Sequence, residues 1–469
     1  MQRRPGGGGG LVGGVCRYAL CVHIVTRDHL DALASQLSHG VGLRIARVDV
    51  DLDPFDFART GAALVDRAVA LATPSGDRRV GLGTAWHAAT SGPQRFAELG
   101  AAIGGLGTEA DIGGDVDAAD LTVFTGYSFL DEIVADGLWK DYAAAEAFMP
   151  RIGIERVDGT ASLTVAIPAG DDPAPTLDLL ASMKHPAWVR VVDSGDHHIE
   201  SHPTVADWAG IVEAAVKAIG GDELDKVVLA RSVRVESSTS VAILRVFRQL
   251  AMSYPECFDF AWKSHHSVFM GASPELLATV QGGRFRSNPL AGSAARGEGE
   301  EDDAAIGAAL LASAKDQEEH RLVVDDMRTR LAGLVSGIVV PDRPVLKKMA
   351  TVQHLSTVIE GDVAPGTGVL DIVDAVHPTP AVGGVPRREA VEYIAAHEPL
   401  DRGWYTGGIG WSTPSGDGEI AIGLRCGLVN GSTSTLFAGA GIVADSDPAS
   451  EVLETRLKLR PLLDLVASM

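Results

Sequence analysis

Short apolar runs and amphipathic helical segments follow one another along the chain in no regular order. Residues 40–50 alternate apolar and polar side chains, as a half-buried strand does. Other β-type runs bounded by turn residues predict strands at 79–86, 121–129, 152–156, 162–167 and 225–235. Helices are predicted at 59–72, 139–150, 203–219 and 315–334, and from Ser446-Asp447-Pro448 onward. Because strands and helices do not alternate regularly, the pattern favours an α+β fold over a doubly wound parallel sheet.

Two of these strands carry local features of interest. The glycines in residues 79–86 predict a bulge or a close approach of another group to the backbone. In residues 225–235 (DKVVLARSVRV), Lys226 precedes a run of valine and leucine. Such a lysine either extends its ammonium group to water or lies buried, where its pKa falls from about 10.4 toward neutrality and the amine becomes a base. The strand alone leaves both readings open.

The length and charge of the chain narrow its possible partners. At 469 residues and 49.0 kDa, it can bury a large core without disulfides or a structural metal. With 40 Lys and Arg against 62 Asp and Glu, the formal net charge of -22 repels nucleic acid and anionic membranes. A small anionic substrate would therefore need a local positive pocket or a metal ion.

Cysteine usage and the N-terminus point to a cytoplasmic protein. Cys16, Cys21, Cys257 and Cys426 form neither a CxxC pair nor a zinc-type spacing, so we expect a reducing compartment. No apolar run reaches the length of a membrane span. Residues 1–15 are rich in glycine and are predicted to be a disordered leader, which leaves residues 16–469 as the folded part.

The second half of the chain holds several candidate acidic and anion-binding groups. Glu275 lies between proline and two leucines, where apolar surroundings would keep it protonated as an acid; a carboxylate at a helix start is the alternative. Residues 289–297 (PLAGSAARG) form a predicted Gly-rich loop that either holds a carboxylate or merely turns. Glu319 lies on the apolar stripe of its helix and needs a metal or lysine partner, whereas Glu318 faces solvent.

The closing helix places Glu451, Glu454 and Lys458 on one face, at positions i, i+3 and i+7. Surface ion pairs are the ordinary explanation of such spacing. Oxygen ligands for magnesium are the alternative, which requires Glu319 to lie nearby in space.

The ordered set of these motifs resembles the chorismate-binding enzymes, which include anthranilate, aminodeoxychorismate, salicylate and isochorismate synthases. The resemblance is strong over residues 203–469 and weaker before them. It rests on the sequences KVVLAR, SPELL, LAGSAARG, KDQEEH, VQHL, HPTPAVGG and DRGWY and on residues 439–458. It implies a single α+β domain with two packed antiparallel sheets and helices outside, to which the N-terminal half contributes strands.

The resemblance also implies roles for individual residues. Lys226 would be the base that activates water for attack at ring carbon 2, and Glu275 the acid that protonates the departing C4 hydroxyl. Glu319 and Glu454 would bind Mg²⁺, with Glu451 acting through a water molecule. The substrate carboxylates would be held by Tyr405, Arg425, the backbone near Gly439 and Lys458. His354 would be a further catalytic residue, close to the leaving group or the pyruvyl side. The other substrate-binding residues would be Ala291, Gly292, Ser293 and Ala381.

Two alanines indicate the branch of the family. Ala291 occupies a position where aminodeoxychorismate synthases of the common type carry a nucleophilic lysine, and Ala381 one where ammonia-using and salicylate-forming relatives usually carry threonine. No tryptophan-binding LLES signature is present. We therefore expect Mg²⁺-dependent conversion of chorismate to isochorismate for menaquinone or siderophore synthesis, by a monomer without a glutaminase subunit. A salicylate synthase and a catalytically idle chorismate-binding protein are the alternatives.

Overall fold

A computed structural model describes residues 24–38, 42–112, 117, 121–184, 196–221 and 224–467. The leader predicted at residues 1–15, together with Cys16 and Cys21, lies outside these residues. Among the described helices, none is both long and apolar enough to cross a membrane.

The described α-helices are α1 Arg27–Leu37, α2 Pro54–Gly61, α3 Arg95–Glu109, α4 Ala174–Ser182, α5 Val205–Ile219, α6 Ile243–Ser253, α7 Glu300–Ala312, α8 Ala314–Arg330, α9 Val369–Val376, α10 Arg387–His397 and α11 Pro448–Ala467. The strands of the N-terminal half are β1 Leu43–Asp49, β2 Arg67–Ala72, β3 Arg78–Leu82, β4 Trp86–Thr90, β5 Ala110–Ile112, β6 Val123–Tyr127, β7 Ala145–Met149, β8 Ile152–Val157, β9 Thr160–Ile167 and β10 His197–His202. The remaining strands are β11 Lys226–Ser237, β12 Phe258–Ser264, β13 Ser267–Ser273, β14 Leu276–Gln281, β15 Arg284–Asn288, β16 Leu290–Ala295, β17 Val335–Val339, β18 Val345–Lys348, β19 Val352–Ser356, β20 Ile359–Val363, β21 Gly384–Val385, β22 Gly408–Ser412, β23 Gly418–Ile422, β24 Cys426–Asn430 and β25 Thr433–Ile442.

Two large sheets and one small sheet organise these strands. The largest has the order β10-β11-β25-β24-β13-β12-β2-β3-β8-β9-β1-β5, with β21 added beside β11. The second has the order β17-β20-β15-β14-β23-β22-β6-β7-β4, and the small sheet the order β16-β19-β18. Neighbouring strands are antiparallel, apart from the parallel pair of β1 and β5. The α+β class and the two large sheets are therefore confirmed, and strands from both halves of the chain share each large sheet.

An aromatic core joins the two large sheets. The ring centroids of Phe148 on β7 and Trp262 on β12 are 5.1 Å apart, in an edge-to-face arrangement. A methyl group at Gly81 on β3 would lie 2.4 Å from the ring of Phe124 on β6, so glycine permits the close contact of the sheets. The close approach expected for residues 79–86 is confirmed.

Helices cover the outer faces of the sheets. Side chains of α1, α2, α6 and α11, such as Leu33, Phe57, Phe247 and Leu462, bury one face of the largest sheet. Helices α3, α8 and α9 pack on the second sheet, and α5 and α10 pack near the start of β11. This arrangement leaves α8 and α11 beside the ends of β11 and β25, where the polar motifs meet.

Three predicted elements were wrong. Residues 59–72 were expected to be one helix, but α2 ends at Gly61 and β2 pairs with β3 and β12. Residues 139–150 were expected to be helical, but they contain β7, which pairs with β4 and β6. The loop expected at 289–297 contains β16, which pairs with β19. The two segments predicted as helices contain β2 and β7, which are buried along most or all of their length. Strands buried on both faces do not alternate polar and apolar side chains, so an alanine-containing strand of this kind resembles a helix in sequence.

Candidate active site

A cavity opens between β11, β25, the small sheet and the helices α8 and α11. Thirteen of the predicted site residues line it: Glu275, Ala291, Gly292, Ser293, Glu319, His354, Ala381, Tyr405, Arg425, Gly439, Glu451, Glu454 and Lys458. The side chain of Lys226 is fully buried and reaches the cavity through its contact with Glu319. The fold thus brings together residues from widely separated parts of the chain.

Lys226 and Glu319 form an ion pair at the inner end of the cavity. Their Nζ and Oε1 atoms are 2.9 Å apart, and the two side chains are 0% and 14% exposed. Burial acts to raise the pKa of Glu319, but the charge and hydrogen bond of Lys226 and the charge of Lys458 hold it below its usual value. Lys226 therefore does not extend to water, and Glu319 is its counter-charge.

Gly441 on β25 makes room for this pair. A methyl group at this position would lie 2.6 Å from Oε1 of Glu319 and 3.1 Å from Cε of Lys226. Gly441 pairs with Val228 across the β11–β25 ladder, which fixes its backbone beside the ion pair. A side chain here would displace the carboxylate or the amine.

Glu275 is a buried carboxyl group between β13 and β14. It is 3% exposed, and burial raises its pKa to about 7, although the backbone N–H of Leu290 and the charges of Lys226 and Lys347 act against this rise. The Leu290 N–H donates to Oε1 over 3.4 Å. The alternative of a helix-start carboxylate is wrong, because Glu275 directly precedes a strand. Its environment suits an acid that holds its proton near neutral pH.

His354 and Arg425 are coupled by hydrogen bonds. Nη2 of Arg425 lies 3.3 Å from Nε2 of His354, and Nδ1 of His354 lies 2.9 Å from Oγ of Ser293. Arginine only donates, so Nε2 accepts and Nδ1–H donates to Ser293. Burial, followed by the charge of Arg425, lowers the pKa of His354 well below its usual value. His354 is thus a neutral imidazole that orients Arg425.

Tyr405, Gly439 and Lys458 form the opposite wall. The ring of Tyr405 stacks on Phe437 with centroids 5.2 Å apart, and burial raises the pKa of its hydroxyl, which stays protonated. A methyl group at Gly439 would lie 2.9 Å from that hydroxyl. Nζ of Lys458 donates to the carbonyl of Gly439 over 2.9 Å. A hydroxyl and an ammonium group therefore reach one place, as the binding of a carboxylate requires.

Acidic residues of α8 and α11 surround the mouth of the cavity. Oε1 of Glu454 lies 2.5 Å from Nζ of Lys458, and Oε1 of Glu451 lies 3.7 Å from Nζ of Lys315. Burial and the neighbouring charge of Glu454 raise the pKa of Glu451. Burial also raises the pKa of Asp316, to which Glu319 and Glu454 contribute by repulsion. These carboxyl groups repel one another, and a cation among them would relieve that repulsion.

The donor chemistry of these carboxylates fits a magnesium ion. Within the described part of the chain, no three His, Cys, Asp or Glu side chains already converge as a metal-binding group. Glu319 and Glu454 are instead each paired with a lysine. Magnesium commonly takes one or two protein carboxylates and completes its shell with water and substrate oxygens. Two such carboxylates in one cavity therefore suffice as protein ligands.

The remaining predicted residues line the cavity with small side chains. Ala291, Gly292 and Ser293 lie on β16, where Ser293 pairs with His354 of β19. Gly292 has a φ of 75° and lies against Asp316, whose Cβ would be 3.0 Å from a methyl group there. Ala291 and Ala381 present only methyl groups to the cavity. These walls carry neither an amine nor a hydroxyl at the two positions that separate the branches of the family.

Sequence reasoning missed four residues at or behind this cavity. Lys315 and Asp316 line it, and their spacing of four and three residues from Glu319 on one helix face could have indicated this. Gly441 follows Gly439 by two residues and so lies on the same face of its strand. Lys347, whose Nζ donates to the carbonyl of Pro274 over 2.7 Å, gave no signal in the sequence.

Residues 32–467 match the protein family described as chorismate binding enzyme. The chain belongs to the chorismate-binding enzyme family. The isochorismate synthase MenF of Bacillus subtilis (strain 168) is 36% identical over 346 residues, which cover 73% of this chain and 74% of that protein. The salicylate biosynthesis isochorismate synthase of Pseudomonas aeruginosa is 40% identical over 262 residues, 56% of this chain and 55% of that protein.

The fold of this chorismate-binding enzyme agrees with solved structures. The menaquinone-specific isochorismate synthase from Escherichia coli superimposes with a TM-score of 0.80 over 93% of this chain and 98% of that one, at 24% sequence identity. This likeness supports one continuous chorismate-binding fold across both halves of the chain.

Proposed function

We propose that this chain is an isochorismate synthase, which converts chorismate to isochorismate. The observation that carries the proposal is the buried pair of proton-transfer groups in one cavity, Glu275 with its pKa near 7 and the fully buried Lys226. Relatives at 36% and 40% identity that bear this name support the same reaction. The residues from 16 to 469 act in this proposal as one catalytic domain.

The reaction exchanges one hydroxyl group for another. The oxygen of a water molecule forms a bond to ring carbon 2 while Lys226 takes a proton from that water, which requires that Lys226 first give up to solvent the proton that its ion pair with Glu319 favours. The ring double bonds shift, the C4–O bond breaks, and the hydroxide that departs takes a proton from Glu275. One water molecule enters and one leaves, so the net change is an isomerisation. Afterwards Lys226 must release the proton that it took, and Glu275 must regain the proton that it gave, by transfer between them or through solvent.

The cationic wall would hold the two carboxylates of the substrate. Arg425 offers a planar pair of N–H donors, and the neutral His354 keeps that guanidinium in place. Tyr405 and Lys458 converge near Gly439, where they would bind the second carboxylate. These groups form the local positive pocket that an anionic substrate needs in a chain with a net charge of -22.

Glu319 and Glu454 would hold Mg²⁺, with Glu451 reaching it through a water molecule. When bound, the ion would neutralise a substrate carboxylate and compete with Lys226 for Glu319. The proton transfers remain the task of the side chains of Lys226 and Glu275.

Product analysis tests the proposal. Purified protein is incubated with chorismate and Mg²⁺, and the products are separated by chromatography. We expect isochorismate in an equilibrium mixture with chorismate, and loss of turnover on addition of EDTA. Salicylate with stoichiometric pyruvate would instead identify a salicylate synthase, and an absence of any turnover would indicate a binding protein. The Pseudomonas aeruginosa relative is named for salicylate biosynthesis and the Escherichia coli structure for menaquinone. The pathway of this chain therefore requires a genetic test of menaquinone and of siderophore production.

A further inference from the structure

A second cavity lies on the outer face of the largest sheet, away from the active site. Its volume is about 1140 Å³, and it shares no lining residue with the cavity around Glu275. Helix α2, the segment after it, and the start of α6 form its walls, and strands β2 and β12 form its floor. We call it the alanine-lined cavity, after Ala58, Ala62, Ala68, Ala70, Ala242 and Ala261.

The cavity exists because these wall residues are small. Ala68, Ala70 and Ala261 are buried and lie on adjacent strands, where Ala70 and Ala261 pair directly. Their methyl groups leave space that leucine or phenylalanine would fill elsewhere in this core. A space of this size is large enough to hold a drug-sized ligand. Water in it has few polar partners on the sheet floor, so an apolar chain could displace that water at little cost.

Positive charge surrounds the apolar floor. The cationic residues that line the cavity are Arg59, Arg245, Arg248 and Lys263, and the side chains of His265 and His266 also line it. Among the described residues that line it, none is Asp or Glu. Nζ of Lys263 donates to the carbonyl of Ala62 over 3.0 Å, which fixes its ammonium group at the wall. A chain with a net charge of -22 thus concentrates cations around one apolar space.

The start of α6 adds partial positive charge to the same cavity. Residues 240–244 line the cavity, and Ile243–Ser253 begins after Ala242 without a side-chain cap. The first turn of a helix carries partial positive charge, and the backbone N–H groups of Ile243, Arg245 and Val246 already donate to the carbonyls of Val241 and Ala242. Arg248, one turn into the helix, forms an ion pair of 4.0 Å with Asp56 of α2. The helix start and both arginines of α6 thus lie along the same wall of the cavity.

We propose that the alanine-lined cavity binds a carboxylic acid with a long apolar chain, of the fatty-acid type. The chain would lie over the alanines of β2 and β12, and the carboxylate would meet the arginines of α6. Apolar burial would supply most of the affinity, and the cations would select an anionic head group.

Binding of dodecanoate to the full-length protein tests this proposal, by isothermal titration calorimetry below the micelle concentration and without chorismate. We expect saturable binding of one dodecanoate per chain, and binding of dodecyltrimethylammonium weaker by at least about tenfold, which is about 1.4 kcal/mol. Because turnover is not the measurement, the result stands or fails separately from the proposed reaction.

Two variants locate the site. The double variant Arg245→Ser with Arg248→Ser should weaken dodecanoate binding by about tenfold through loss of charge-assisted contacts. Ala242→Phe should block binding by filling part of the cavity that Ala242 lines, and since Ala242 is only partly buried, the fold should tolerate it. Arg388→Ser on α10, whose side chain is 80% exposed, is the matched control and should bind as the wild type does. Absence of saturable binding, equal binding of the ammonium compound, or normal binding by both cavity variants would overturn the proposal.

Discussion

Lys226 and Glu319 are held 2.9 Å apart by two elements that meet only in the folded protein, the start of β11 and the first turns of α8. The bare backbone of Gly441 gives the pair its space. The amine proposed as the base therefore shares its carboxylate partner with the proposed metal site. A change at any of these three positions should affect chemistry more than folding.

Gly441→Ala should lower kcat/KM by at least about tenfold, because the added methyl group would lie 2.6 Å from Oε1 of Glu319 and displace it. The carboxylate is the flexible end of a side chain, so the melting temperature should change little. Gly104→Ala on α3 is the matched control, since a methyl group there meets no atom within 4 Å. The control should keep full activity and gain a little helix stability. Equal activity in both variants would contradict the placement of the pair.

Lys226→Gln and Glu275→Gln should each reduce turnover by about 10² to 10⁴, the usual contribution of one proton-transfer group. Steady-state kinetics with chorismate measure the loss, and circular dichroism checks that each variant is folded. Either variant that retains near-normal kcat would be inconsistent with its assigned role.

The pH profile should report Glu275. Burial raises the pKa of this carboxyl group to about 7, so it is protonated below that pH and loses its proton above it. An acid acts in its protonated form, and kcat should therefore fall as the pH rises through about 7. Glu275→Gln should remove this alkaline limb from whatever activity remains. An unchanged limb in that variant would assign it to another group.

Lys347 should influence the pH at which kcat falls, although it does not contact the substrate. Its positive charge favours the ionised form of Glu275, and its Nζ holds the carbonyl of Pro274 at 2.7 Å. Lys347→Met removes the charge, which should raise the pKa of Glu275 and move the limb to higher pH. Lys347→Arg keeps the charge and should restore the original position. A shift of equal size in both variants would indicate a structural effect instead.

The chain's local patterns were sufficient for elements with clear turns or caps, such as β8 and β9 around Asp158-Gly159 or α11 after Ser446. They failed for β2 and β7, since strands buried on both faces lack alternation, and each of these strands has one pairing partner, β12 and β4 respectively, that lies far away in sequence. The site shows the same limit. Helical spacing predicted that Glu454 and Lys458 share a face, but no local rule predicts that Lys226 meets Glu319.

The final prediction concerns the metal. If Glu319 and Glu454 are ligands, Glu319→Gln and Glu454→Gln should both raise the Mg²⁺ concentration needed for half-maximal activity and weaken chorismate binding, because one ion would contact protein and substrate together. Glu318→Gln is the matched control on the same helix, since Glu318 pairs with Arg321 and is 57% exposed. Loss of the Glu318–Arg321 ion pair should lower the free energy of unfolding by at most about 1 kcal/mol and leave the Mg²⁺ titration unchanged. Should all three variants follow the wild-type titration, the carboxylates serve only as partners of Lys226 and Lys458. The cationic groups Arg425, Lys458 and Tyr405 would then have to hold both substrate carboxylates without help from an ion.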